Sequence, residues 1–228
     1  MTALLITVDT ELSASLHQRG LSLEENLRRS IHAETGAGAY GIGWQMDLLQ
    51  RHGLKGVFFL DPLPALVHGA EFPRPIVGQI VGRGHEVQLH IHTEWLAWAR
   101  ESPVEGRQGR NIGDFSLADQ VALLGLARRL LEDAGAPAIR AFRAGNFGAN
   151  DDTLRALAQI GGIDAAVPGD ANLGKGAQRI VIGAEIACAK GADRRRACIF
   201  QQAPGKAEQR DLIRYCLLYT SPSPRDRG

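Results

Sequence analysis

The stretch Gly84 to Trp95, GHEVQLHIHTEW, holds the residues most suited to chemistry. Apolar Val87, Leu89 and Ile91 alternate with Gln88, His90 and His92, a period of two that predicts a short strand. On such a strand His90 and His92 project from one face, and Glu94 follows where the strand gives way to a loop. Two imidazoles and a carboxylate this close are ligand types for zinc or another divalent cation. Taken alone, the same letters fit solvated histidines at a polar strand end equally well.

The elements that must position these residues alternate between strand and helix. Ala3 to Val8 (ALLITV) is a continuous apolar run that suits a buried parallel strand, and it ends in Asp9-Thr10-Glu11. Carboxylates just past the carboxyl end of a buried strand sit where α/β folds place their sites. The lesser reading is that Asp9 or Thr10 merely caps the next segment. Val57 to Leu60 reads as a second buried strand, stopped by Asp61-Pro62. Helices are predicted over Ile42 to Arg51, Ile76 to Val81, Leu117 to Ala134 (capped by Ser116) and from Asp151 to about Ile160. Ala141-Phe142 leads into Arg143-Ala144-Gly145-Asn146-Phe147. Further strands are predicted over Asp164 to Val167, Ile180 to Ile186 and Cys198 to Gln201, with a last helix at Asp211 to Tyr215. The alternation argues for an α/β fold with a mainly parallel sheet. Gly36 to Gly41 matches GxGxxG, but no strand-like run precedes it, so it reads as a glycine-rich loop rather than a dinucleotide site.

Composition narrows the function. The 228 residues are 44% hydrophobic and 22% charged, enough for one sizeable core, and the formal net charge is +1. That balance gives no bulk attraction to nucleic acid or anionic membranes. No apolar run is long enough to span a bilayer, and MTALLITVDTE leads straight into a strand without a basic leader, so a cytoplasmic protein is expected. Cys188, Cys198 and Cys216 have no paired spacing, as expected in a reducing compartment. Trp95 and Trp98 read as packing or as a cleft wall, since no basic stripe accompanies them as in a nucleic-acid stacking platform.

The end of the chain reads differently. Cys216 to Asp226, CLLYTSPSPRD, resembles the translation of a transposase adapter used in short-read library preparation. The expected division is therefore one incomplete domain over residues 1–215 and an adapter-derived tail over 216–228.

Three segments in order, TVDTE, GHEVQLHIHTEW and FRAGNFGANDDTLRALAQIGG, together resemble the polysaccharide deacetylase family, also called NodB-homology or carbohydrate esterase 4. The resemblance runs from Ala3 to about Val167 and includes FFLDP at Phe58 to Pro62. It implies a deformed (β/α) barrel, here truncated, holding a divalent metal, usually zinc, and removing acetyl groups from N-acetylated sugars or glycans. Asp9 matches the catalytic base, His90 the first metal histidine and Arg143 the arginine that holds the base. Asn146, Phe147 and Trp95 are the expected substrate contacts.

Four departures follow. Thr10 stands where the family has a second, metal-binding aspartate, leaving Glu11 as the nearest carboxylate. Glu94 stands at the usual second-histidine position, four residues after the first, with His92 competing for that role. Gly145-Asn146 stands where the arginine motif continues to proline. All seven histidines fall at or before His92, so the late general-acid histidine is absent and this fragment is expected to be inactive. The alternative is a non-catalytic carbohydrate-binding relative with a degenerate metal site. The sequence sets no oligomeric state. A glycosidase using Asp9 and Glu11 ranks low, because residues two apart rarely flank a glycosidic bond correctly.

Overall fold

The computed structural model describes residues 6–105, 109–167, 185–187, 199–201 and 214–216. Strand β1 (Ile6–Thr10) leads through helices α1 (Ala14–Gln18) and α2 (Leu23–Asn26) and a wide turn, Leu27–Ile31, into a hairpin of β2 (Glu34–Thr35) and β3 (Gly38–Ala39). There follow α3 (Ile42–Arg51), β4 (Gly56–Leu60), α4 (Ala65–His68), α5 (Arg74–Gly82) and β5 (Glu86–Ile91). A 3₁₀ turn over Thr93–Trp98, then α6 (Leu117–Asp133), β6 (Ala141–Ala144), α7 (Asp151–Ile160) and β7 (Ala165–Val167) complete the main layer. Strands β8 (Glu185–Ala187), β9 (Ile199–Gln201) and β10 (Arg214–Cys216) form a separate antiparallel sheet.

The main sheet has the order β1-β4-β5-β6-β7, every neighbouring pair parallel. Consecutive strands lie side by side, as in half of a (β/α) barrel, the α/β architecture expected from the sequence. Register then divides the residues by parity. Val8, Phe58, Leu60, Val87, Leu89, Ile91, Phe142 and Ala144 share one face and join the core with Met46 and Leu49 of α3, Ile76, Val77 and Ile80 of α5, and Leu123, Leu124 and Leu131 of α6. The opposite face carries Thr7, Asp9, Phe59, Gln88, His90 and Arg143, and is polar along most of its length. The helix face supplies the burial free energy, which leaves the other face open to chemistry.

Local signals account for the helix boundaries. The Ser116 hydroxyl accepts from Asp119 N–H at the start of α6, and Asn150 and Thr153 cap α7 reciprocally. The segment Gly36 to Gly41 is a hairpin and a helix start, not a nucleotide loop. At Gly41 a β-carbon would lie 2.0 Å from the Ile31 carbonyl oxygen, so the glycine serves a close backbone approach. Of the helix expected at Asp211 to Tyr215, positions 211–213 lie outside the described residues, and Arg214 and Tyr215 are corrected: Arg214–Cys216 is a strand paired with β9. Five residues are too short for periodicity to separate helix from strand, and the cross-strand partner decides. Of the strand expected at Ile180 to Ile186, only its end overlaps β8; positions 180–184 and 217–228 lie outside the described residues.

Gln88 shows how the polar face is kept satisfied. Its buried Oε1 accepts the N–H groups of Arg140 and Ala141, both at 2.8 Å, at the entry to β6. Gln88→Leu removes that acceptor, and a loss of roughly 1–3 kcal/mol is expected for the stranded donors. Urea denaturation checks this; an unchanged midpoint would contradict it.

Candidate metal centre

Parity places Glu11, two residues beyond Asp9, on the polar face, level with His90 of β5 and Arg143 of β6. Glu11 Oε2 lies 2.9 Å from His90 Nε2 and 2.6 Å from His92 Nε2. The three side chains each offer one atom to a cluster whose members all lie within 4.8 Å of one another. Their outer nitrogens are engaged. His90 Nδ1 donates to the Arg143 carbonyl oxygen at 2.7 Å, since a carbonyl can only accept. His92 Nδ1 faces Glu94 Oε2 at 3.3 Å. Both Nε2 atoms therefore face the same point.

The electrostatics follow from that geometry. Burial opposes charge on Glu11, yet hydrogen bonds and positive charge from His90 and His92 outweigh it and hold the carboxyl far below its usual range. Burial likewise opposes charge on His90, but the Asp9 and Glu11 carboxylates raise its pKa. His92 is raised well above its ordinary value, against burial, by Glu11 and Glu94. Without a cation at the focus, each Nε2 must carry a proton to bond Glu11. One divalent ion replaces both protons, and a His, His, carboxylate set is a catalytic zinc type that keeps a position open for water. The donor set fits a metal.

Arg143 is buried behind the cluster. Its Nη1 donates to Asp9 Oδ1, its Nη2 to Thr7 Oγ1 at 2.9 Å, and its guanidinium carbon sits 4.2 Å from the Phe59 ring centre. Thr10 is on the opposite parity and buried at 2% exposure, which takes it out of the cluster.

Glu94 lies outside the three-atom cluster and bonds both His92 and Asn146, whose Nδ2 donates to Glu94 Oε1 at 2.8 Å. Asn146 and Phe147 follow β6 with φ of 53° and 55°, and Phe147 is 42% exposed. Two successive non-glycine residues in the left-handed region concentrate backbone strain beside the cluster. The expectation that Trp95 forms a cleft wall is corrected. Trp95 is fully buried, because the 3₁₀ turn after His92 folds its indole into a cluster with His17, His68 and Trp98. His85 is structural: its Nδ1 accepts from Gly56 N–H at 3.0 Å, at the opposite end of β4 and β5.

No family model and no curated protein matches the chain. Solved structures do show similarity. A family 4 carbohydrate esterase from Streptomyces lividans in complex with acetate gives a TM-score of 0.43 at 14% identity, covering 72% of this chain and 61% of that one. A CE4 family pseudoenzyme from Bacillus anthracis gives 0.42 at 15%, covering 73% and 42%. The Xyl-CE4 domain of a multidomain xylanase from the hindgut metagenome of Trinervitermes trinervoides gives 0.40 at 13%, covering 68% and 54%. The chain thus spans less than two thirds of each of these structures.

Sequence reading missed Asp61, which looked only like a strand stop. It follows β4, between the strands that carry Glu11 and His90, and is fully buried. Its Oδ1 accepts from Leu63 N–H at 3.0 Å, and its Oδ2 has no partner among the described residues. Burial pushes its pKa from 3.8 up to about 7, against the pull of His92 and His90. The DP pair was the available signal, as an aspartate that folds back on its own turn. A raised folded pKa means that this group's stability contribution is full below 3.8 and is lost as pH rises toward 7. Asp61→Asn should remove that slope, so that the variant melts higher than wild type at pH 7 and the gap closes by pH 4. Parallel melting curves across this range would contradict the buried neutral acid.

Proposed function

We propose that the chain is a metal-dependent hydrolase that removes acetyl groups from N-acetylated sugars or cleaves a related amide. The carrying observation is the convergence of His90 Nε2, His92 Nε2 and Glu11 Oε2 on one point with both outer imidazole nitrogens engaged. These three residues would hold the cation, zinc by ligand type. When bound, the ion lowers the pKa of its water to about 7 and polarises the acyl carbonyl.

Asp9 is the base. Arg143 takes its Oδ1, which orients the carboxylate and leaves Oδ2 to accept a proton. Asp9 remains open to solvent while Arg143 is buried, so the base faces the substrate side and its anchor faces the interior. Phe147, exposed on the rim, presents an apolar surface for an acetyl methyl or a sugar face. The glycan substrate rests on the resemblance of the TVDTE, GHEVQLHIHTEW and FRAGNF segments and on the amide chemistry such a site performs. Among the described residues no helix is long and apolar enough to cross a membrane.

The test uses 4-nitrophenyl acetate, whose phenolate leaves without a general acid, beside N-acetylglucosamine oligomers. Stoichiometric zinc binding is expected, abolished by His90→Ala, with ester hydrolysis that stops on chelation. Asp9→Asn should lower the rate by about 10²–10⁴-fold while zinc still binds. Hydrolysis indifferent to chelation, or to Asp9→Asn, would refute the assignment.

A further inference from the structure

The segment after Arg143 is built around one imidazole. A β-carbon on Gly145 would lie 2.8 Å from two ring carbons of His92 and 2.5 Å from the Ile91 carbonyl oxygen. No side chain fits there while the ring keeps its place. The next residue, Asn146, adopts φ 53° and ψ 15°, a left-handed conformation that asparagine tolerates better than most residues. That conformation sends its Nδ2 to Glu94 Oε1 at 2.8 Å. Glu94 Oε2 in turn faces His92 Nδ1 at 3.3 Å, and His92 Nε2 lies 2.6 Å from Glu11. The chain from Asn146 through Glu94 to His92 and Glu11 is continuous.

Each link has a physical role. A metal-binding histidine needs its outer N–H engaged, so that the inner nitrogen presents its lone pair in a fixed direction. His90 has a backbone carbonyl for this, rigid within the sheet. His92 lies just past the end of β5, where no ladder carbonyl serves, and depends on a side chain. Glu94 alone is a flexible partner at a long distance, with Arg110 Nε 3.9 Å from the same Oε1 that Asn146 bonds. Asn146 fixes the carboxylate from the far side, and its rigid turn is anchored on β6.

We propose that Glu94 and Asn146 are positioning residues for His92, acting as a relay that the Gly145-Asn146 turn exists to hold, and that neither is a metal ligand. This rests on the metal centre proposed above. It changes the roles expected of both residues: Glu94 supports the competing ligand, His92, and the Asn146 Nδ2 faces Glu94, with the Arg110 carbonyl oxygen 3.5 Å away.

The test measures zinc affinity by chelator competition and the visible absorption of the cobalt-substituted protein, with circular dichroism to confirm folding. Glu94→Ala and Asn146→Gly should each weaken zinc binding by about 10–100-fold. The intensity of the cobalt bands, which reports coordination number, should stay at the wild-type level. Glycine keeps the left-handed turn without strain, so Asn146→Gly isolates the amide from the backbone. Wild-type affinity in Asn146→Gly would overturn the relay, and so would a change in cobalt band intensity in Glu94→Ala, which would make Glu94 a ligand. Failure of the centre itself reads differently: His90→Ala would then leave zinc affinity unchanged. If His90→Ala abolishes binding while both relay variants bind as wild type, the centre stands and the relay falls.

Discussion

Two imidazole nitrogens within 2.6 and 2.9 Å of a single carboxylate oxygen require positive charge between them. Two protons or one metal ion can supply it. The surrounding structure holds the three atoms at that focus. Parallel register brings Glu11 and His90 to one level from β1 and β5, with β4 between them. The helix-facing side of the same strands supplies the core, so polar residues on the other side need only be satisfied locally.

Arg143 ties this arrangement together with two separate parts of itself. Its backbone carbonyl fixes His90, while its guanidinium reaches back to Thr7 and Asp9 on β1 and stacks on Phe59 of β4. One residue thus sets the direction of a candidate ligand and of the candidate base. The next residues do the same for His92. With His92 two positions after His90, its ring lies over residue 145, where a β-carbon would collide with it and glycine does not.

Most of the sheet was legible in the sequence, because continuous apolar runs and period-two alternation report directly on buried strands. Parity alone predicts that Asp9 with Glu11, and His90 with His92, share faces. What parity cannot report is the path of the chain after a strand ends. The 3₁₀ turn at Thr93–Trp98 decided that Glu94 bonds the outer nitrogen of His92 and that Trp95 is buried. The left-handed pair Asn146 and Phe147 carries no periodic signal. Asp61 was illegible because its burial depends on neighbours from β1 and β5, and only an aspartate-proline pair marked it.

The most direct measurement is anomalous diffraction at the zinc edge from crystals of the zinc-soaked protein. The account predicts one strong peak bonded to Glu11 Oε2, His90 Nε2 and His92 Nε2 at about 2.0–2.2 Å, with Glu94 hydrogen-bonded to His92 and outside bonding distance. A peak elsewhere, a peak bonded to Glu94, or no peak at this position would contradict it.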